Sequence, residues 1–283
     1  ANGVVLITTK KGRADKTTVT YSNNTTFSDP MMMPKFQNTY GNMTGEMMSW
    51  GLETDKRYDS ANFFNTGSNV SNALSLSTGN DKSQSYISVA TTNATGIMPN
   101  NDYDRYNFSF RNTTNFLNNK FILDTSANYI IQNDKNMVSQ GQYFNPLTSL
   151  YLFPRGEDFS DVAVYERYDD LSGVNTQYWP YGDLGGVSSQ NPYWIMNRMN
   201  RENDRRRYKL AASLQYNIIE GLNVQGRVSI DNTESKYTEK FHAGTVGNFA
   251  GPKGRYKEEN RLDRQVYADV LANFNKTFNE FNV

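Results

Sequence analysis

Apolar and polar side chains alternate with a period of two along much of this chain. In residues 105–116 (RYNFSFRNTTNF), four aromatic rings fall on one face and polar side chains on the other. The same alternation marks residues 121–132, 208–218 and 222–231. Further strands are predicted at residues 17–28, 71–79, 83–95 and 259–275, with another beginning near Phe281. This periodicity predicts an all-β fold of about nine strands.

The connections between these strands are alternately short and long. The short ones read GNDK, NNK, EG and NEFN. The long ones are rich in Gly, Pro, Asn and aromatic residues and lie near residues 30–70, 134–204 and 239–258. When short and long connections alternate between antiparallel strands, all the long loops lie at the same end of the sheet. Short periplasmic turns and long extracellular loops are typical of an outer-membrane β-barrel.

The charged residues of the polar face are compatible with two architectures. On a soluble β-sandwich they would be ordinary surface charges, and in a barrel they would line the lumen: Arg111, Asp124, Lys209, Arg227 and Asp231. In the barrel, aromatic residues near the strand ends would form the girdles at the membrane interfaces: Tyr106, Phe116, Phe121 and Tyr216. Both architectures remain open on patterning alone.

The composition argues against several classes of protein. The mean hydropathy of -0.74 suits a soluble domain, but a barrel also keeps a low mean because its faces alternate. No run approaches the roughly 20 consecutive apolar residues of a membrane helix. The 29 basic and 29 acidic residues balance, which gives no reason to expect nucleic acid as a partner. The chain has no cysteine and hence no disulfide or thiolate metal site.

Catalytic and metal-binding motifs are absent from the sequence. It contains no phosphate-binding or dinucleotide glycine motif, no nucleophile elbow and no HExxH. The single histidine, His242, lies in a predicted loop without a nucleophile beside it. The adjacent acids 157–158 and 169–170 are typical of solvated turns, and NNDYD (100–104) is better read as a hairpin turn than as a Ca²⁺ loop. We therefore expect no enzymatic activity, no metal and no cofactor.

The predicted loops hold the candidate binding residues. Seven aromatic residues are concentrated in the two longest loops: Trp50, Tyr58, Tyr178, Trp179, Tyr181, Tyr193 and Trp194. Such rings stack on sugars or peptide side chains, or anchor a partner. They also serve to pack long loops against one another. Both roles remain open for this set.

Two further loop features allow two interpretations each. The methionines at 31–33 and 47–48 either fill gaps under the first loop or seat a partner protein. The arginines of RENDRRRYK (201–209), predicted at the rim just before a strand, either bind phosphates or pair with Glu202 and Asp204.

The first residues carry the most specific resemblance. Residues 1–12 (ANGVVLITTKKG) form an apolar stretch, and the link 13–16 (RADK) leads into the strand at 17–28. This junction resembles the end of the plug domain and the first barrel strand of the SusC/RagA family of TonB-linked outer-membrane proteins. MMMPKFQNTYGN, NPYWIMNR and GTVGNFAGPKG also resemble that family. The resemblance implies a plug strand at 1–12 and a transmembrane barrel from 17 to 283.

The same resemblance implies a function. Members of the family import oligosaccharides or peptides across the Gram-negative outer membrane, with a SusD-like surface lipoprotein as a lid and with energy supplied through TonB. Outer-membrane lipids would surround the barrel. Since plugged transporters have about 22 strands, the chain is expected to be a fragment, without the segment that contacts TonB. The alternatives are a soluble or surface-attached all-β glycan-binding module and a passive porin.

Overall fold

One antiparallel sheet of eight strands dominates the structure. A computed structural model describes residues 10–14, 16–181, 189–275, 277–278 and 281–282. The strands of the sheet, in spatial order, are β1 (Thr18–Ser28), β2 (Gly67–Gly79), β3 (Ser83–Thr95), β4 (Asp102–Phe116), β5 (Phe121–Lys135), β8 (Met199–Ile219), β9 (Leu222–Phe241) and β10 (Arg255–Phe274). Two short strand pairs lie outside it: β6 (Glu166–Asp169) with β7 (Val174–Gln177), and β11 (Thr277–Phe278) with β12 (Phe281–Asn282). This confirms the predicted all-β fold.

Tight turns join the strands at one end of the sheet. The Asn80 side chain accepts hydrogen bonds from the backbone N–H groups of Lys82 and Ser83 at 2.9 and 2.8 Å. Asn118 and Asn119 adopt φ of 53° and 62° between β4 and β5, a left-handed conformation that asparagine tolerates better than most residues. Gly221, at φ 82°, completes the turn between β8 and β9. The turns predicted from GNDK, NNK and EG are therefore present.

Two short helices in the long loops were not predicted. They are α1 (Pro146–Tyr151) and α2 (Pro192–Arg198). Each begins with an Asn-Pro pair, in which the asparagine side chain caps the first turn and proline occupies a position where no N–H is needed. Short 3-10 helices span Ser60–Phe63 and Phe159–Ala163. No helix in the described part of the chain is both long and apolar enough to cross a membrane.

Strands β8 and β9 extend further towards the long loops than the alternation indicated. They contain 21 and 20 residues. The prediction that the arginines of RENDRRRYK precede the strand is wrong, because the whole run lies within β8. The alternation gives no strand signal here, because both faces of β8 and β9 are polar in this part. Glu202 pairs with Lys240 across the ladder at 3.0 Å, and not with a neighbouring arginine.

The buried apolar core lies in the long loops and not in the sheet. Its buried members come from all the long connections and the adjacent strand ends: Phe63, Met98, Leu150, Phe153, Phe159, Val162, Trp194, Ile195, Met196, Met199, Phe241 and Ala250. We call this set the loop core. It forms at the end of the sheet opposite the tight turns, so the long loops are packed together there.

Candidate functional site

A row of apolar side chains crosses the whole sheet. The register places its members opposite one another on successive strands: Val19, Leu76, Ile87, Phe110, Ala127, Leu210, Ile230 and Val266. Leu210, in an inner strand, is still 47% exposed. A β-sandwich would bury such a row under a second sheet, whereas no other described element packs over it here. The sheet therefore presents one continuous apolar face to its surroundings.

The neighbouring row on the opposite face is polar on every strand. Its members are Thr20, Ser75, Ser88, Ser109, Asn128, Lys209, Asp231 and Gln265. Successive residues of a strand point to opposite faces. The two rows therefore lie one residue apart on each strand but on opposite faces of the sheet. Along these two rows, one face of the sheet is apolar and the other is polar.

Arginine–aspartate pairs tie the strands together on the polar face. They are Arg111–Asp124 between β4 and β5 at 2.8 Å, Arg207–Asp231 between β8 and β9 at 2.5 Å, and Arg227–Asp269 between β9 and β10. Each arginine contacts both oxygens of its partner, the bidentate arrangement that adds geometric specificity to charge. This face suits contact with water or with a polar segment.

The segment entering β1 lies against the polar face. Lys11 Nζ is 3.7 Å from Asp124 Oδ2, and the Arg13 N–H donates to Ser77 Oγ at 3.1 Å. Gly12 passes so close to β3 that an added Cβ would lie 2.5 Å from the backbone nitrogen of Ser85. Residues 10–13 have no regular secondary structure. Residues 1–9, which make up most of the predicted plug strand, lie outside the described residues.

Gly12→Ala is expected to displace this segment from the polar face of the sheet. The new Cβ would collide with backbone atoms of β3. Unlike the end of a long side chain, this backbone cannot move aside without disturbing the sheet. We expect trypsin to cleave after Arg13 or Lys16 several-fold faster in the variant. Gly247→Ala is the control, because a Cβ at position 247 meets nothing within 4 Å. Equal cleavage rates in the two variants would contradict the close approach.

Six of the seven predicted aromatic residues lie in or against the loop core. Trp194 lies inside it, and the other five pack against its buried members: Tyr58, Tyr178, Trp179, Tyr181 and Tyr193. Trp50 lies outside, with 80% of its surface exposed. The structure thus brings six of them together and separates the seventh. That some of these rings contact a ligand stays a prediction.

Buried asparagines organise the loop core. Asn191 Nδ2 donates to the carbonyls of Val162 and Tyr178 at 2.8 and 3.0 Å, while its Oδ1 caps α2. Asn136 Nδ2 donates to the carbonyls of Asn100 and Met196, both at 3.0 Å. Sequence reasoning missed both residues. The Asn-Pro pair that starts α2 was the available signal for Asn191, whereas nothing local marks Asn136.

Arg155 joins the first long loop to the second. Its guanidinium lies 4.8 Å from the ring centroids of both Phe36 and Tyr58, and it donates to the carbonyls of Tyr151 and Phe153. Burial lowers the pKa of Arg155 and raises the pKa of Tyr58. The cation is held by aromatic faces and carbonyls, with no carboxylate in ion-pair range among the described residues.

Three of the four adjacent loop acids have structural partners. Asp158 caps the helix at Phe159–Ala163, and Asp169 accepts from the Ser172 N–H at 3.0 Å. Glu157 accepts from Asn42 at 3.2 Å. The described residues contain no group of three His, Cys, Asp or Glu side chains that could hold a metal ion. In NNDYD, the Asn101 carbonyl accepts from the Gly96 N–H at 2.8 Å and closes the β3–β4 hairpin, and Asn101 Nδ2 donates to the carbonyl of Lys135 at the end of β5 at 3.0 Å.

We expect His242 to make the packing of the last long loop sensitive to pH. Burial, with the nearby Arg198 cation, lowers the pKa of His242. The unfolded loop binds a proton more readily than the folded loop, so stability falls as the pH drops below about 6.5. We expect the exchange protection of residues 242–250, corrected for intrinsic rates, to decrease between pH 7.5 and 5. His242→Gln should abolish most of that decrease, and an equal decrease in the variant would exclude His242 as its cause.

No protein-family model matches the sequence, and no curated protein matches it. Solved structures do match. The fold is similar to that of chains from a peptide importer. Structures of the RagAB peptide importer in its "closed-closed" and "open-open" states align with TM-scores of 0.63 and 0.62, and a structure of the RagAB peptide transporter aligns with 0.63. In each case the identity is 14%, with 96% of this chain and 34% of the other chain covered.

These similarities concern the fold. The chain spans about a third of the length of the RagAB chains it matches. The all-β antiparallel architecture predicted from the alternation is confirmed, and it resembles part of a larger barrel protein. The similarity extends over nearly the whole chain, so it includes the long loops as well as the sheet.

Proposed function

We propose that this chain forms part of the wall of a TonB-dependent outer-membrane importer. The observation that carries the proposal is the uninterrupted apolar row on eight strands, exposed on one face and backed by a polar row. Lipid would cover the apolar face, and the polar face would line the lumen. In this arrangement the loop core lies on the extracellular side, since the long loops of such barrels extend outwards.

Aromatic residues near the tight turns support this orientation. Phe116, Phe121 and Tyr216 stack across three strands, with centroid distances of 5.4 and 4.7 Å. They share the apolar face, since the register places them opposite one another. Aromatic rings at that height would form the inner interfacial girdle of the barrel.

The segment at residues 10–13 supports a plug. It lies on the polar face, where a plug would meet the wall, and Lys11 contacts Asp124 there. The proposed organisation has the last plug strand at 1–12, a linker at 13–16 and the barrel from 17 onwards. Coupling to TonB and a SusD-like lipoprotein lid come from the family resemblance.

The proposed activity is binding and gated translocation without covalent chemistry. The cargo is an oligosaccharide or a peptide, and the similarity to the RagAB peptide importer favours a peptide. The candidate contacts for cargo or lid are the seven loop aromatics, of which Trp50 offers the most exposed ring.

Uptake in cells tests this proposal. Cells with the intact protein should accumulate labelled oligopeptides, and deletion of tonB or of this gene should abolish the accumulation. A parallel series of labelled oligosaccharides would identify the other cargo class. A chain that stays soluble and monomeric at 32.3 kDa without detergent would instead favour a soluble glycan-binding module.

A further inference from the structure

The packed loops contain a buried cation that has no carboxylate partner. Arg155 is 5% exposed, and an arginine side chain stays protonated at neutral pH. Arginines are rarely buried unless they are paired, because an unpaired charge is costly to remove from water. Arg155 forms no ion pair with any described residue. The described part of the chain therefore leaves this charge without a counter-ion.

The guanidinium of Arg155 also has unused hydrogen-bond donors. Of its five N–H groups, two donate to the carbonyls of Tyr151 and Phe153. The other three have no acceptor among the described residues. The rings of Phe36 and Tyr58, both centred 4.8 Å from the guanidinium carbon, attract the cation but accept only weak hydrogen bonds. A negatively charged acceptor would satisfy both the charge and the donors of Arg155.

Arg155 lines a cavity of about 250 Å³ between the first and second long loops. The other lining residues include Phe36, Met47, Met48, Trp50 and Phe153. The exposure of the lining falls from 80% at Trp50 to 5% at Arg155, so the cation lies at the buried end of the cavity. Met47 is buried and fills the gap under the first loop, whereas Met48 is 58% exposed. The walls of the cavity are thus mainly apolar.

The first long loop is held beside this cavity in a defined conformation. Ser49 Oγ accepts from the Arg155 N–H at 3.0 Å, and Asn42 Oδ1 accepts from the Gly156 N–H at 3.2 Å. Gln37 Nε2 donates to the carbonyl of Ser49 at 3.0 Å. The lining side chains are therefore presented by an ordered backbone, which lowers the entropic cost of binding.

We propose that this cavity binds the carboxylate of a ligand, with an apolar group of the same ligand against the aromatic and methionine side chains. Guanidinium and carboxylate form two parallel hydrogen bonds. The last residue of a peptide carries its carboxylate and its side chain on one carbon atom, so a peptide with an apolar last residue fits these two features. Pockets for whole drug-sized ligands measure about 300–1,000 Å³. A cavity of about 250 Å³ would therefore take one end of a longer chain.

The choice of an anion rests on the buried guanidinium and not on the charge of the surrounding surface. That surface has both signs of charge: Lys35, Glu46, Glu53, Asp55, Lys56, Arg57 and Glu157. Exposed charges are screened by water and salt, whereas a charge at the buried end of a cavity is screened much less. The inference rests on the proposed function only in identifying the bound ligand with the imported cargo.

Isothermal titration calorimetry of the intact protein in detergent tests the proposal with two matched peptides. Acetyl-glycyl-glycyl-leucine carries a free carboxylate, and its C-terminal amide has the same size without the charge. We expect the Kd of the acid to be lower than that of the amide by about tenfold or more, and to rise with salt concentration. Digalacturonate supplies carboxylates from a sugar, so its Kd distinguishes an acidic saccharide from a peptide as the source of the carboxylate.

Arg155→Met should remove the preference for the acid, so that the two peptides bind with similar Kd values. The ratio of the two values is measured on one sample and does not depend on the fraction of folded protein. Arg198→Met is the matched control, because the charge of Arg198 is already paired with Glu166 at 2.6 Å. This control should retain the full preference for the acid.

Met48→Glu tests the same site without removing Arg155. Met48 is more than half exposed, so the protein should tolerate a polar side chain at this position. The new carboxylate lines the cavity and competes for the guanidinium, so the Kd of the acid peptide should rise about tenfold or more. Met48→Gln, which has the same shape without the charge, should change this Kd much less. Heat-modifiable migration on gels verifies that each variant is folded.

Other outcomes overturn the inference. These are equal binding of acid and amide by the unaltered protein, a preference for the acid that survives Arg155→Met, and no binding of any of the three probes. Tighter binding of digalacturonate that is lost in Arg155→Met would retain the carboxylate site and assign it to an acidic sugar. Acid-selective binding without uptake in cells would leave the inference standing while the importer function fails. TonB-dependent uptake without acid-selective binding would do the reverse.

Discussion

Arginine in place of Leu210 or Val228 should impair insertion of the protein into lipid bilayers and destabilise the inserted state. Both side chains lie on the exposed apolar face, Leu210 opposite Ile230 and Val228 opposite Ala212. In the proposed barrel they meet hydrocarbon, where a cation costs about 2 to 4 kcal/mol near the midplane. The free energy of unfolding, from urea titration of the intact protein in lipid vesicles, should fall by that amount.

Ser213→Arg and Ser229→Arg are the matched controls. They lie on the same two strands, β8 and β9, but on the polar face. Ser213 shares its row with Asp124 and Asp269, so a new cation there has both water and carboxylates nearby. We expect changes well below those of the apolar face. Equal losses on both faces would overturn the assignment of lipid and lumen.

Trp194→Ala should unfold the packed loops while leaving the sheet intact. Trp194 is 0% exposed, and its Nε1 donates to Thr245 Oγ1 at 3.1 Å, which ties α2 to the loop between β9 and β10. Removing a fully buried indole costs about 3 to 5 kcal/mol and also leaves Thr245 without its donor. Hydrogen exchange should show lost protection in residues 136–181, 189–198 and 242–254, with little change in β2 to β5.

Trp50→Ala provides the contrast for that experiment. Its ring is exposed, so removing it should change the exchange protection of the loop core by less than about 0.5 kcal/mol. Both substitutions remove an indole ring from a long loop. The sequence alone does not distinguish the buried ring from the exposed one. If Trp50→Ala destabilised the loops as strongly as Trp194→Ala, the burial assigned to each ring would be wrong.

The strands and tight turns were predictable because their signals are local. Alternation shows wherever one face of a strand is apolar, and GNDK, NNK and EG carry the residues that tight turns require. The prediction failed where both faces become polar. Residues 199–207 of β8 are held by cross-strand pairs such as Glu202–Lys240, which lie 38 positions apart in the chain. No local sequence pattern predicts an ion pair between residues so far apart in the chain.

The loops show the limit of sequence reasoning most clearly. Trp50 and Trp194 are both aromatic loop residues, and only the packing of separate connections decides that one is exposed and the other buried. Asn136 and Arg155 were not singled out, since their partners come from distant segments. The local alternation is enough to assign each side chain to a face of its strand, because that assignment depends on a period of two. Contacts between residues far apart in the chain set which face stays exposed, which loop residues form the core and where the segment before β1 lies, so these features appear only in the folded protein.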